Sequence, residues 1–154
     1  MAAFVDINRR IPETHPIRRI KAIADTQLKG LSGEFDAMYS AHGRRSIPPE
    51  RLLKACVLMA LYSVRSERAF CERLEYDLLF QWFLDMELSE HAFDASSFAK
   101  NRVRFMNAEI AKKFFEAVVQ SARDADLLSQ DHFTVDGTLI EAWAQWRSGP
   151  VATG

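Results

Sequence analysis

The chain has 154 residues, of which 48% are hydrophobic and 27% charged, with eleven Phe and three Trp. That composition excludes an intrinsically disordered polymer and supplies enough large apolar side chains for a domain-sized core. The net charge of −1 by itself argues neither for nor against nucleic acid.

The distribution of charge is more informative. Residues 1–68 carry +5, 69–95 carry −6, 96–123 carry +4 and 124–154 carry −4. Two basic blocks around an acidic one can place positive charge on one face, although chance segregation on a soluble helical protein gives the same pattern. No apolar stretch reaches 18 residues, and the first ten residues lack the apolar centre of a signal peptide. Neither a membrane span nor secretion is therefore expected. Cys56 and Cys71 lie in apolar helical patterns, which predicts buried free thiols and a reducing compartment.

In chain order, residues 1–16, with Pro12 and Pro16, read as an extended arm. Ile17, Ile20, Ile23, Ala24 and Leu28 then recur at helical spacing, interrupted by Gly30 and Gly33. Phe35, Met38 and Tyr39 mark a second short helix ended by Gly43. Arg44, Arg45 and Ser46 form a basic loop. Pro48, Pro49 and Glu50 read as a helix start, because proline is tolerated in the first turn and a carboxylate favours the positive end. Leu52, Leu53, Cys56, Val57, Ala60, Leu61 and Val64 give that helix an apolar stripe. Ser66 is a candidate N-cap for a helix carrying Phe70 and Leu74. Asp77 is a candidate cap for one carrying Leu78, Leu79, Trp82, Phe83 and Met86. Residues 88–93 read as a loop. Asp94 or Ser96 caps a helix through Phe98, Val103 and Met106, and Asn107 caps one that turns Ile110, Ala111, Phe114, Phe115, Val118, Val119 and Ala122 inward.

Residues 17–126 are thus expected to form one all-helical domain. The pattern changes after Asp131: residues 132–135 and 138–143 are strand-like and flank Asp136-Gly137, a hairpin signal over 131–144. A lone hairpin is not stable, so it packs on the helices or begins a larger sheet. Residues 145–154 read as an irregular tail.

Three sets of residues are candidates for chemistry. Asp136, at the end of a strand, suits a hard divalent cation such as Mg2+, two of which stabilise an in-line phosphodiester displacement when further acids are present; by spacing alone the plainer reading of Asp136-Gly137 is an ordinary type I′ turn. Ser97, Lys100, Asn101 and Arg104 fall near one face of a capped helix and suit base edges and phosphates in a major groove, while the plainer reading is a solvated polar face. Arg44, Arg45, Arg65 and Arg68 suit phosphate contacts, or surface pairing with Glu67 and Glu72. Arg9, Arg10, Arg18, Arg19 and Lys21 would suit an arm laid along a groove. His15, His42, His91 and His132 lack metal-ligand spacing.

Taken in order, several runs resemble a known family. Residues 46–55 (Ser-Ile-Pro-Pro-Glu-Arg-Leu-Leu-Lys-Ala), 61–68 (Leu-Tyr-Ser-Val-Arg-Ser-Glu-Arg), 75–83 (Glu-Tyr-Asp-Leu-Leu-Phe-Gln-Trp-Phe) and 94–102 (Asp-Ala-Ser-Ser-Phe-Ala-Lys-Asn-Arg) resemble the InsH-type N-terminal domain of bacterial insertion-sequence DDE transposases. Residues 132–143 are similar to that family's first catalytic block. The resemblance spans about residues 17–144.

It implies a helical end-binding domain followed by an RNase H-like domain, in which Asp, Asp and Glu hold Mg2+ or Mn2+ for DNA cleavage and strand transfer. Asp136 matches the first Asp, as catalytic residue and metal ligand; the other two acids would fall beyond Gly154, and Glu141 does not replace them. After Ala144 the sequence departs from the family's pattern. The chain is therefore expected to be a truncated N-terminal piece, not catalytically competent alone and holding no metal by itself. The expected fold is mainly α: a multi-helix DNA-binding domain followed by a short β-hairpin that begins an RNase H-like domain. The expected function is binding of double-stranded DNA at the terminal inverted repeats of an insertion sequence, in the bacterial cytoplasm at the nucleoid, with full-length transposase or a second copy as further partners and no membrane. The alternative is a non-catalytic protein that associates with full-length transposase and modulates it.

Overall fold

In the computed structural model, the described residues are 6–42, 47–105 and 108–127. Among them are seven α-helices, α1 (Ile17–Gly30), α2 (Ser32–His42), α3 (Pro49–Leu61), α4 (Glu67–Tyr76), α5 (Leu78–Phe83), α6 (Ala95–Phe105) and α7 (Glu109–Asp124), preceded by one 3-10 turn, Ile7–Arg10. No strand occurs among the described residues. The mainly helical expectation is met there. The expected β-hairpin at 131–144, the RNase H-like domain and the tail lie outside the described residues.

The helix starts follow local chemistry. Ser66 Oγ accepts from the Ala69 amide at 3.1 Å to open α4. Asp77 Oδ1 accepts from Leu79 and Phe80 at 2.9 and 3.2 Å to open α5. Asp94, rather than Ser96, opens α6 by accepting from the Ser97 amide at 3.0 Å. Each such cap satisfies amide groups the helix cannot satisfy itself. Three helix ends share a second device. Ser63, Asp85 and Asp126 have φ of 54°, 55° and 53°, and the next amide reaches back to close a six-residue loop: Val64 to Met59, Met86 to Gln81 and Leu127 to Ala122, at 2.9–3.0 Å. These are Schellman ends without glycine, each placing an L-residue in the left-handed region.

The inward faces of α1 and α7 are those the spacing predicts. Ile17, Ile20, Ala24 and Leu28 are buried on α1, and Ile110, Ala111, Phe114, Phe115, Val118 and Ala122 on α7; the two helices pack together. Helix α3 departs from its stripe. Every residue from Leu52 to Met59 is buried, including Lys54, which makes α3 the central rod, enclosed on all sides. α6 and α7 both pack on it.

Of the segment expected to be an extended arm, the described residues 6–16 are clasped to the domain. Ile11 is buried, and the 3-10 turn packs on α5. Arg18 gathers it: its guanidinium donates to Asn8 Oδ1 at 2.9 Å, to the Asn8 carbonyl, to the Ile11 carbonyl at 2.6 Å and to the Pro12 carbonyl at 3.2 Å. Trp82 Nε1 also donates to Asn8 Oδ1, at 3.1 Å, and the Arg18 guanidinium lies 5.4 Å from the Trp82 ring centre. Arg18 is thus engaged in tying chain segments together, not extended toward a groove.

Candidate nucleic-acid interface

The rotational phase of α6 decides which of its polar residues meet solvent. Phe98 and Phe105 are fully buried, with Phe98 packed at 5.2 Å on Phe70 of α4 and 5.6 Å on Phe93. At about 100° per residue, these anchors turn positions 101 and 102 inward and 96, 100, 103 and 104 outward. Asn101 is buried, and its side-chain amide donates to the Ser97 carbonyl of its own helix at 2.7 Å. Ser97 is half-buried, flanking the inward side. Lys100 and Arg104 are exposed. The four residues expected near one face are therefore split: Lys100 and Arg104 face solvent together, while Asn101 faces the core and is committed to the backbone.

Arg102, absent from the candidate residues, joins the two helices. Its guanidinium donates to Glu67 Oε1 at 2.9 Å and lies 5.8 Å from the Phe98 ring centre. Glu67 is the first residue of α4, so this pair holds the start of α4 beside α6. Arg65 and Arg68, both exposed, flank Glu67 in sequence. Arg65 and Arg68 are thus exposed at the start of α4, and Lys100 and Arg104 on the side of α6 turned away from the Arg102–Glu67 bridge. None of these four makes an ion pair among the described residues. Arg44 and Arg45 lie outside the described residues, as does Asp136 with its expected metal chemistry. Among the described residues no cluster of three or more His, Cys, Asp or Glu is arranged to hold a metal.

A second charged assembly on another part of the domain has a different character. Lys54 Nζ donates to Asp25 Oδ1 at 2.7 Å and Asp85 Oδ2 at 2.9 Å; Lys21 Nζ pairs with Asp25 Oδ2 and Asp85 Oδ1, both at 2.8 Å. Two lysines and two aspartates close a neutral ring across α1, α3 and the end of α5. Burial favours the neutral form of Asp85, but hydrogen bonds from Lys21 and Lys54 outweigh it and hold the carboxyl below its ordinary value. Burial pushes Lys21 the other way, and hydrogen bonds to Asp25 and Asp85 again prevail, raising it. The ring edges an open depression of about 500 Å3 whose lining includes Asp25, Asp36, Glu50 and Asp85 against Lys21 and Lys29. Four acids against two bases make that depression a poor seat for phosphate. The ring was legible only as an anomaly: Lys54 interrupts an apolar run.

Both cysteines are buried thiols outside any disulfide. Burial pushes each thiol up to about 11, which leaves little thiolate at neutral pH and fits structural rather than nucleophilic roles. Trp82 is half-buried under Lys21 and Arg18, so it serves packing, as its helical spacing predicts. No helix among the described residues is long and apolar enough to cross a membrane.

Comparisons with known proteins narrow the reading of these cations. Neither the curated proteins nor the solved structures gave a match. The family described as "Transposase domain (DUF772)" matches residues 5–104, which takes in the clasped N-terminal turn, the buried α3 rod and nearly all of α6. With well over half its length matched, this chain belongs to the DUF772 transposase-domain family.

Proposed function

We propose that the chain binds double-stranded DNA at the terminal inverted repeats of a bacterial insertion sequence, as the end-recognising part of a DDE transposase, through the outward face of α6 and the adjoining start of α4. The observation that carries this reading is the pairing of Lys100 and Arg104 on a solvent-facing helix whose reverse side is fixed by Phe98, Phe105 and the Arg102–Glu67 bridge. A groove-reading helix needs that combination: cationic side chains outside and a rigid seat inside. Arg65 and Arg68 then supply phosphate contacts that set register without reading sequence, and Arg44 and Arg45 take the same role. Asn101 plays no base-reading part, because its amide is already bonded within α6. In the same reading Asp136 is the first metal-binding carboxylate of the nuclease centre, and DNA binding does not depend on it.

The test is a titration of wild-type protein, Lys100→Ala, Arg104→Ala and Asp136→Asn against a duplex of the element's own end and a scrambled duplex. Each α6 variant is expected to lose about 1–3 kcal/mol on the cognate end, while Asp136→Asn binds as wild type. Wild-type affinity should fall steeply with salt, since bound arginine and lysine release condensed counterions. Equal affinity for both duplexes, or α6 variants that bind as wild type, would remove this reading.

A further inference from the structure

The outward face of α6 holds one residue that its charge does not explain. Val103 is 70% exposed, although a β-branched apolar side chain gains nothing from an exposed helical position. It lies one turn after Lys100, about 60° round the helix from it and about 100° from Arg104, with Ser96 on the same face two turns earlier. Lys100 and Arg104 are about 6 Å apart along the helix axis, and a groove that wraps the outward side of α6 meets Val103 along with both. Among the described residues the other exposed large apolar residues, Tyr76 and Leu88, lie at the end of α4 and in the connection between α5 and α6.

Two kinds of partner present an apolar group to such a residue. The core of a protein interface is depleted in lysine, though not in arginine, and a valine one turn from Lys100 is poorly placed for one. The major groove suits the set better. It admits an α-helix, its phosphates and guanine edges take lysine and arginine, and the apolar group on its floor is the 5-methyl of thymine. We infer that Val103 is a specificity-determining residue that packs its isopropyl group against a thymine 5-methyl while Lys100 and Arg104 hold the flanking positions. This inference rests on the DNA-end reading above and adds to it a base identity.

The experiment separates the two ideas. The full chain is used to select duplexes from a randomised pool. Each thymine of the enriched sequence is then replaced in turn by deoxyuridine, which lacks only the 5-methyl. The expected result is one thymine whose replacement weakens wild-type binding roughly fourfold, the worth of one buried methyl group. Val103→Ser should bind the two duplexes alike; because position 103 is exposed, that variant keeps the fold. Enrichment of a sequence with no methyl-sensitive thymine, or a methyl effect that persists in Val103→Ser, overturns the role of Val103 and leaves DNA binding standing. Failure to enrich any sequence overturns both. A wild-type dimer that Val103→Ser converts to a monomer, with methyl sensitivity unchanged, would assign Val103 to a protein contact instead.

Discussion

The Lys21–Asp25–Lys54–Asp85 ring predicts an asymmetry between its acids and its buried base. Lys54 is 3% exposed, whereas the side chains of Asp25 and Asp85 are 35% and 63% exposed. Lys54→Met keeps the volume and removes the buried charge. The carboxylates left behind still hold Lys21 at 2.8 Å and can take up water, so the expected cost is small, about 1 kcal/mol or less. The reverse change strands a charge. Asp25→Asn with Asp85→Asn removes both counter-charges from an ammonium that cannot reach water, and breaking a buried pair in that sense costs about 3–5 kcal/mol. Because both acids are partly solvated, the lower end, about 3 kcal/mol, is expected. Asparagine tolerates the left-handed backbone at position 85, where φ is 55°, so the substitution does not add strain of its own. Urea unfolding of the three chains reads the difference directly, provided the slope against denaturant is unchanged. In a domain whose whole stability is about 5–15 kcal/mol, the double variant should unfold at clearly lower urea than Lys54→Met. If Lys54→Met costs as much as the double substitution, desolvation of Lys54 is not what the aspartates offset, and the reasoning fails.

Two further outcomes follow from the same geometry. A carboxyl that ionises more readily when folded contributes stability that is complete above its unfolded value, 3.8 for Asp85, and is lost as pH falls through the lower folded value. Acid unfolding below about pH 4 should therefore be shallower in Asp85→Asn than in the wild type; parallel curves would show that the ring is not linked to protonation. At the end of α7, Asp126 occupies the left-handed region with φ of 53°, so Asp126→Gly should stabilise by about 1 kcal/mol and Asp126→Val should destabilise by at least as much. Melting temperatures that move the same way in both variants would contradict that account.

Much of the helical order was legible from the residues alone. Ser66, Asp77 and Asp94 announce helix starts because a side-chain oxygen beside a free amide is a strictly local event. The buried faces of α1 and α7 were legible because apolar spacing fixes the phase of an amphipathic helix whatever it packs against. The candidate interface was legible in part. Lys100 and Arg104 do face outward, but Asn101 does not, since the spacing of polar residues leaves the phase of α6 open until Phe98 is seated against α4 and the helix against α3.

What only the tertiary structure decided is who meets whom across the chain. Lys54 reaches Asp25 and Asp85 over 29 and 31 residues, Arg102 reaches Glu67 over 35, and Trp82 reaches Asn8 over 74. No periodicity encodes such pairs, because they arise when helices already formed by local rules are packed around α3. The sequence by itself determined the helices, the Ser66, Asp77 and Asp94 caps and most of the inward faces. The fold decided that α3 is enclosed on every side and that Arg18 and Arg102 are structural. It also decided that Val103 stands exposed on the outward side of α6 with the two cations, because the side of a helix left over for function is set by where its neighbours bury the other side.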